Sequence, residues 1–493
     1  MKQILQSIKD GSTNLEEVPA PKATEGCILV QTTHSLVSLG TEKMLVEFGN
    51  ASLIQKARQQ PEKVKLVIDK IKSDGLLPTI ESVFTKLEQP IPLGYNNVGK
   101  VIDIGSGVSE FTIGDRVVSN GPHAEIVSVP KNLAAVIPRS VSDEEASFTV
   151  VGAIGLQGIR LLSPALGETI TVVGLGLIGL ITCQLLKANG CQVIGVDLDK
   201  KKCDLAKKWG LNAINPASEN MIDKVYQITK GNGSDGVIIT ASSNSDKIIN
   251  DSAKMCRKRG RIILVGVVGL NLNRYDFYEK EISFQVSCSY GPGRYDDNYE
   301  QKGIDYPLPY VRWTEKRNFE AILKSFEDKK VEVEDLITKK IDLKHFKEIY
   351  QKIDSNDSIG SIIKYSSLHG VHSSLKRKIK INDREYKGDK GIVGIIGSGN
   401  FTSQTLLPNL RKTKIPISSI ASKGGVNSNY LAEKYGISNS TTDYHEILSD
   451  EDIDTVIITT RHNSHSEIAI EALNAGKNVF VEKPLAINDE QLI

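Results

Sequence analysis

The run ITVVGLGLIGL at residues 170–180 breaks an apolar, strand-like stretch into glycines, and GIVGIIGSGNF at 391–401 makes the same break again. A chain that does this must turn sharply from a buried strand into a helix. In a Gly-x-Gly-x-x-Gly turn the first glycine makes the bend, the second lets the backbone approach a pyrophosphate, and the third permits close packing of helix on strand. Two such turns in one polypeptide imply two α/β units, and 493 residues exceed what a single core organises.

Gly174, Gly176 and Gly179 have the required spacing, and Asp197 closes the next strand, VIGVDLD, about 20 residues on. A carboxylate there accepts ribose hydroxyls and repels a 2′-phosphate, which predicts NAD rather than NADP. Around this turn apolar strands alternate with helical stretches (TITVVGLG, GLITCQLLKANG, CQVIGVDLD, KKCDLAKKWG, GVIITAS, GRIILVGV), the sign of βαβ units over 151–309. Residues 1–150 read instead as short strands punctuated by Gly and Pro, such as GKVIDIGSGV and GDRVVSNGPHAEIVSVP, so a β-rich, barrel-like domain is expected. Val64, Ile68 and Ile71 at helical spacing predict a helix inserted over 52–75. Segment 310–365 is expected to pack back on the first domain, 366–390 to be a basic linker, and 391–493 to form the second α/β unit.

A net charge of +1 creates no field that would attract nucleic acid. Cys27, Cys183, Cys191, Cys203, Cys256 and Cys288 show no Cys-x-x-Cys spacing, which argues against a disulfide framework or zinc ribbon and for a reducing compartment. The apolar run at 170–186 carries glycines at a strand-to-helix junction and is short of the roughly 20 residues of a membrane span. MKQILQSIKDGS lacks the core of a secretory signal, so the cytoplasm is expected. Segment 289–318, SYGPGRYDDNYEQKGIDYPLPYVRWTEKRN, concentrates Tyr, Arg, Gly and Trp. Aromatic faces and arginine forks suit sugar rings and anions, which makes Arg294 and Arg312 candidate substrate residues; a loop that merely covers the sheet is the alternative.

GTEK, PLGYNNVGKVIDIGSGV, GDRV and VVGLGLIGL occur in the order found in the medium-chain dehydrogenase/reductase superfamily, which residues 1–355 resemble. The resemblance implies an α/β chain with a GroES-like β-rich domain and a Rossmann domain. It departs from the zinc-dependent members at Leu39-Gly40-Thr41-Glu42, where they carry Cys-Gly-Thr/Ser-Asp, and at Gly94-Tyr95-Asn96, where they carry Gly-His-Glu. TVVGAIGLQG at 149–158 has no ligand side chain either, and the four-cysteine lobe is missing, so no metal is expected. Without a Lewis acid another group must move the hydroxyl proton. Tyr95, His123 and Glu42 are the candidates, with a packed aromatic, a turn residue and a structural ion pair as their plainer readings.

Gly397-Ser398-Gly399-Asn400-Phe401-Thr402 keeps two glycines and puts Thr at the third place. The later run DTVIITTRHNSHSEIAIEALNAGKNVFVEKPLA resembles the glucose-fructose oxidoreductase, inositol dehydrogenase and MocA (Gfo/Idh/MocA) family. That resemblance implies that His465 and Glu482-Lys483-Pro484 lie beside a nicotinamide, with Lys483 steadying a substrate hydroxyl or moving its proton. Gly397, Gly399, Asn400 and Phe401 would contact the cofactor. Ser422 and Lys423 stand where NAD-binding members carry an acid, so this unit is expected to take NAD or NADP. The family normally continues into a further α/β domain, so the second Rossmann unit is expected to be incomplete and the chain a fragment. The combined resemblance implies an NAD(P)-dependent oxidoreductase, zinc-independent, acting on a sugar or sugar-nucleotide hydroxyl or carbonyl in polysaccharide or nucleotide-sugar metabolism. A zinc-free quinone or enone reductase and a non-catalytic nucleotide-binding redox subunit are the alternatives. The expected partners are a small-molecule substrate and further copies of the chain, with no nucleic acid and no membrane.

Overall fold

The computed structural model describes residues 1–51, 87–351, 358–366, 375–384, 386 and 391–493, with isolated positions between 55 and 83. The helix expected over 52–75 falls, apart from such positions, outside the described residues. The strands are β1 (Lys2–Gln6), β2 (Thr13–Glu17), β3 (Cys27–Val37), β4 (Ile91–Pro92), β5 (Asn97–Ile104), β6 (Arg116–Ser119), β7 (Ile126–Pro130) and β8 (Ala134–Val136), followed by β9 (Thr169–Val173), β10 (Gln192–Val196), β11 (Asn212–Ile214), β12 (Ser234–Ile239), β13 (Cys256–Leu264) and β14 (Ser283–Val286). They continue with β15 (Ile337–Asp342), β16 (Gly360–Lys364), β17 (Lys378–Lys380), β18 (Val393–Ile396), β19 (Ile417–Ala421), β20 (Asn439–Thr441), β21 (Thr455–Ile458) and β22 (Asn478–Val481).

The N-terminal strands build a small β2-β1-β4 sheet and a larger one in the order β15-β16-β3-β5-β6-β8, with β7 also on β3. Hydrophobic runs buried on both faces then form a parallel sheet, β11-β10-β9-β12-β13-β14, in which β9 lies centrally and carries the first glycine turn at its carboxyl end. Ile170, Val172, Ile238 and Ile262 are sealed inside it, each stabilising the fold by roughly 1.5–3 kcal/mol. One continuous apolar core runs from the barrel (Val98, Val117, Phe148) through the helix Thr149–Leu162 and into the helix Glu315–Glu327 (Phe319, Ile322, Phe326). The barrel is thereby fixed against the nucleotide fold.

The second parallel sheet repeats the arrangement as β20-β19-β18-β21-β22, with β18 central and followed by the second glycine turn. β17 departs from the sequence reading: it lies inside the stretch read as a linker, yet it pairs antiparallel with β20. Ala20 donates its N–H to the Lys376 carbonyl at 3.0 Å, and the Thr442 hydroxyl donates to the Ala20 carbonyl at 2.5 Å, so the N-terminal segment is stitched to this edge. Lys9, Tyr430 and Lys434 converge on Glu88 at the same seam. Burial alone would raise the Glu88 carboxyl, but Lys434 and Lys9 overcome it and hold it down at about 2. Among the described residues no helix is long and apolar enough to cross a membrane.

Candidate functional site

The first glycine turn has the geometry a dinucleotide requires. Gly174 sits at φ +100°, and a Cβ there would meet the Ala241 backbone at 2.6 Å. A Cβ on Gly179 would lie 1.9 Å from the Gly174 carbonyl, so only glycine lets the helix come this close to its strand. Around Gly176, in contrast, there is open space, and Gly176 caps the N-terminus of the helix Leu177–Ala188. Asp197 accepts the Leu175 N–H at 2.6 Å and the Asp199 N–H at 2.8 Å. Those amides aim its carboxylate across the turn and leave lone pairs for further donors. These residues fit a nicotinamide dinucleotide: open amides for its phosphates and an oriented carboxylate for its ribose.

Behind the barrel's Leu39–Asn50 helix lies a buried polar chain. Glu42 takes the Ser38 N–H at 3.1 Å and the Tyr350 hydroxyl at 2.5 Å, and His123 Nε2 lies 3.3 Å from both its oxygens. His123 Nδ1 is 2.7 Å from the Ser35 hydroxyl, which is 2.9 Å from the Tyr365 hydroxyl. One assignment satisfies every donor: Tyr365 donates to Ser35, Ser35 to Nδ1, and Nε2–H to Glu42, which also accepts from Tyr350. Burial, then the Glu42 charge, holds the Tyr350 phenol well above its ordinary range, and burial pushes Tyr365 upward as well. Structure thus brings Glu42 and His123 together but seals both completely. In this arrangement neither side chain is open to solvent, a correction to their reading as groups that exchange a proton with a substrate. Tyr95 is half-buried against the main core, and a Cβ on the adjoining Gly94 would come within 2.6 Å of the His123 ring, so the Tyr95 loop rests on that network. Beside it Asn96 is fully buried, with neither polar atom of its side chain partnered among the described residues.

Zinc does not fit these residues. Leu39 offers no donor atom, and the Glu42 carboxylate is occupied by Ser38, Tyr350 and His123. Among the described residues no group of three or more His, Cys, Asp or Glu side chains could hold a metal ion.

In the Tyr- and Arg-rich segment, the Arg294 guanidinium donates to Glu300 at 2.5 Å and stacks on Tyr290 and Tyr295. One of its terminal nitrogens is thus held by its own loop, while its buried Nε has no hydrogen-bond partner among the described residues. Arg312 is exposed and lies over the Trp313 ring.

At the second turn Gly397 has φ +116°, Gly399 has open space around it, and Asn400 and Phe401 face solvent. Thr402 stands at the place of the third glycine, its buried hydroxyl donating to the Gly397 carbonyl at 2.9 Å and meeting the Thr459 hydroxyl at 2.6 Å. The Ser422 hydroxyl donates to Ser428, and Lys423 is exposed. His465 is buried, with Nδ1 2.8 Å from the Pro484 carbonyl and Nε2 3.0 Å from the Thr460 carbonyl. It pins the Glu482-Lys483-Pro484 loop with both ring nitrogens on backbone carbonyls, where the resemblance implied a place beside a nicotinamide. Glu482 is half-buried, and Lys483 and Pro484 are exposed.

Tyr350, Tyr365 and Ser35 escaped the sequence reading. Tyr350 lies in FKEIYQKI with no motif around it, whereas Asn96, a polar residue between Tyr95 and an apolar strand, was open to notice.

Comparisons with known proteins place the fold among dehydrogenases. A family model described as zinc-binding dehydrogenase matches residues 178–302, the nucleotide-binding half, and one described as oxidoreductase family, NAD-binding Rossmann fold, matches 392–492. D-guloside 3-dehydrogenase of Escherichia coli is 29% identical over 271 residues, covering 53% of this chain and 73% of that protein. Sorbitol dehydrogenase of Halalkalibacterium halodurans is 24% identical over 352 residues, covering 63% and 94%. The solved alcohol dehydrogenase TADH from Thermus sp. ATN1 shares the fold with a TM-score of 0.57 at 16% identity, over 74% of this chain and 100% of that one.

Proposed function

We propose that this chain, an NAD(P)-dependent oxidoreductase in which a medium-chain dehydrogenase precedes a Gfo/Idh/MocA-type Rossmann domain, transfers hydride at a hydroxyl or carbonyl carbon of a sugar or polyol, without zinc. The observation that carries this reading is Asp197, held by the Leu175 and Asp199 amides across an open glycine turn. The relatives named for guloside and sorbitol support the substrate class; sugar nucleotides are the finer version of it.

A bound nicotinamide dinucleotide supplies the hydride acceptor or donor. The amides at the start of the Leu177–Ala188 helix stabilise its phosphates, and Asp197 accepts ribose hydroxyls while disfavouring a phosphate there. In place of a Lewis acid, Tyr95 handles the substrate proton, and the Glu42–His123–Tyr350 network fixes the loop that carries it. The orphaned Asn96 amide, sealed beside Tyr95, is satisfied by a buried water. In the second module exposed Lys423 makes NADP acceptable beside NAD.

The test is initial rates with NAD⁺ and NADP⁺ over polyols, sugars and sugar nucleotides, for the parent and Tyr95→Phe. Oxidation of a polyol or sugar with NAD⁺, insensitive to chelators and at least tenfold slower in kcat for Tyr95→Phe, is expected. Turnover of enones or quinones alone, indifferent to Tyr95→Phe, would favour the reductase alternative.

A further inference from the structure

The helix Glu315–Glu327 begins with a carboxyl that no donor reaches. Glu315 is fully buried, and neither of its side-chain oxygens has a hydrogen-bond partner among the described residues. Its amide donates to the Pro292 carbonyl at 3.0 Å, which seats it against the loop that follows β14. A buried carboxylate without donors costs far more than a neutral carboxylic acid, so a group in this place keeps its proton. That proton needs an acceptor. Glu300, also buried, faces it and has one oxygen on the Arg294 guanidinium at 2.5 Å.

As two carboxylates the pair would set two buried negative charges against one guanidinium. With one proton between them they form an O–H···O bond, and Arg294 matches the single charge that remains. Burial first, and the Glu300 charge second, raise the Glu315 carboxyl to about 8 against the pull of Arg294. The other groups around the pair keep their charge state near that pH. Burial pushes Tyr290, in the loop, and Tyr299, on the helix Asp297–Glu300, up to about 12, and the bond to Asp296 does the same for Tyr306. Asp305 is tied to Arg317, and Lys316, the next residue along, turns to Glu110. From the Thr149–Leu162 helix Arg160 meets the same region at Asn318, and burial, then Arg312, lowers it only to about 10.

This pair lies on a line of contacts that joins the nucleotide fold to the barrel. Arg294 stacks on Tyr290, whose hydroxyl is 3.2 Å from the Asn120 amide just beyond β6 and whose carbonyl accepts from Asn318 at 2.8 Å. We propose that Glu300 and Glu315 share one proton and that this proton is a latch on the Tyr290–Arg294 loop. While it is present, Arg294 is held against Tyr290; when the Glu315 O–H bond breaks and the proton passes to water, the two carboxylates repel and the loop loosens from the helix. The loop leaves the carboxyl edge of the first parallel sheet, the edge on which the glycine turn opens. Alkaline pH therefore loosens a segment at the ligand-bearing edge. The inference rests on no assumption about the substrate.

Two measurements on the full chain test it. Infrared difference spectra of the parent against Glu315→Gln at pH 7 should show the carbonyl stretch of a protonated carboxylic acid, lost by about pH 9.5. In Glu300→Gln, where the like charge is gone, the stretch should disappear roughly one pH unit or more lower. Hydrogen exchange at the residue 315 amide, corrected for the intrinsic acceleration of exchange with pH, should lose roughly tenfold or more of its protection in the parent between about pH 7 and 9.5. Glu315→Gln should lose none, because its side-chain amide keeps a donor towards Glu300 at every pH. No protonated-acid stretch at pH 7 would overturn the shared proton. A stretch that titrates while exchange in the parent stays as protected as in Glu315→Gln would overturn the latch. If Glu300→Gln fails to fold, the comparison of the parent with Glu315→Gln still decides both.

Discussion

Asp197 has two of its lone pairs taken by backbone amides, and those bonds orient it before any ligand arrives. Asp197→Ala is therefore expected to weaken NADH binding about tenfold, or ~1.4 kcal/mol, while NADPH affinity is unchanged or improved; equilibrium titration with each nucleotide checks this. Glu315 has the opposite character, a buried carboxyl that nothing in its surroundings needs to be charged. Its ordinary value of 4.5 is raised to about 8 by burial and Glu300, against the pull of Arg294. Between those two values the unfolded chain has released a proton that the folded chain keeps, so stability falls as pH rises from 4.5 to about 8 and levels off beyond. Glu315→Gln removes that slope. Urea unfolding should find the variant roughly 1–4 kcal/mol more stable than the parent at pH 8, with the difference shrinking below pH 5. Tyr350→Phe should do the reverse at Glu42: loss of a buried donor costs about 1–3 kcal/mol, read in the same assay at neutral pH.

The elements that the sequence made legible are those whose cause is local. A glycine turn writes its reason within six residues, and Asp197 at the next strand end follows from it, which is why both sheets and the first cofactor turn could be anticipated from ITVVGLGLIGL and VIGVDLD. What escaped was non-local. Tyr350 reaches Glu42 from the far end of the domain, and the sealing of His123 depends on Gly94, Ser35 and Tyr365 meeting in space. Lys378–Lys380 reads as solvated linker because its strand character comes only from pairing with β20. His465 was placed beside a nicotinamide by resemblance, while its two carbonyl partners can be seen only in the fold. The helix Val426–Tyr435 illustrates a further non-local constraint: Gly425 at its cap has φ +76°, and a Cβ there would lie 2.6 Å from the Pro19 carbonyl. Gly425→Ala is expected to loosen this junction by about 1–3 kcal/mol. Hydrogen exchange at the Ala20 amide, which bonds the Lys376 carbonyl across the seam, should quicken at least tenfold while that of β18 stays as it was.

At the scale of the whole molecule, the chain is two nucleotide folds joined by an N-terminal segment that belongs to both. β1 and β2 lead into Pro19 and Ala20, which close on Thr442, and Glu88 ties Lys9 to Lys434 across the same line. The apolar core shared by the barrel, the Thr149–Leu162 helix and the Glu315–Glu327 helix holds the first glycine turn against the Tyr95 loop. That arrangement suits hydride transfer at the first turn, and the second turn keeps the open side that a second dinucleotide needs. The most direct test of this account counts cofactors: calorimetric titration of the chain with NADH and, separately, NADPH, for the parent and for Gly176→Asp. The open space at Gly176 lets the variant fold while its charge repels the pyrophosphate. Two nucleotide sites per chain in the parent, with the NADH-selective one lost in Gly176→Asp and the other retained, is the predicted result. No NADH site in the parent, or one that survives Gly176→Asp unchanged, would contradict it.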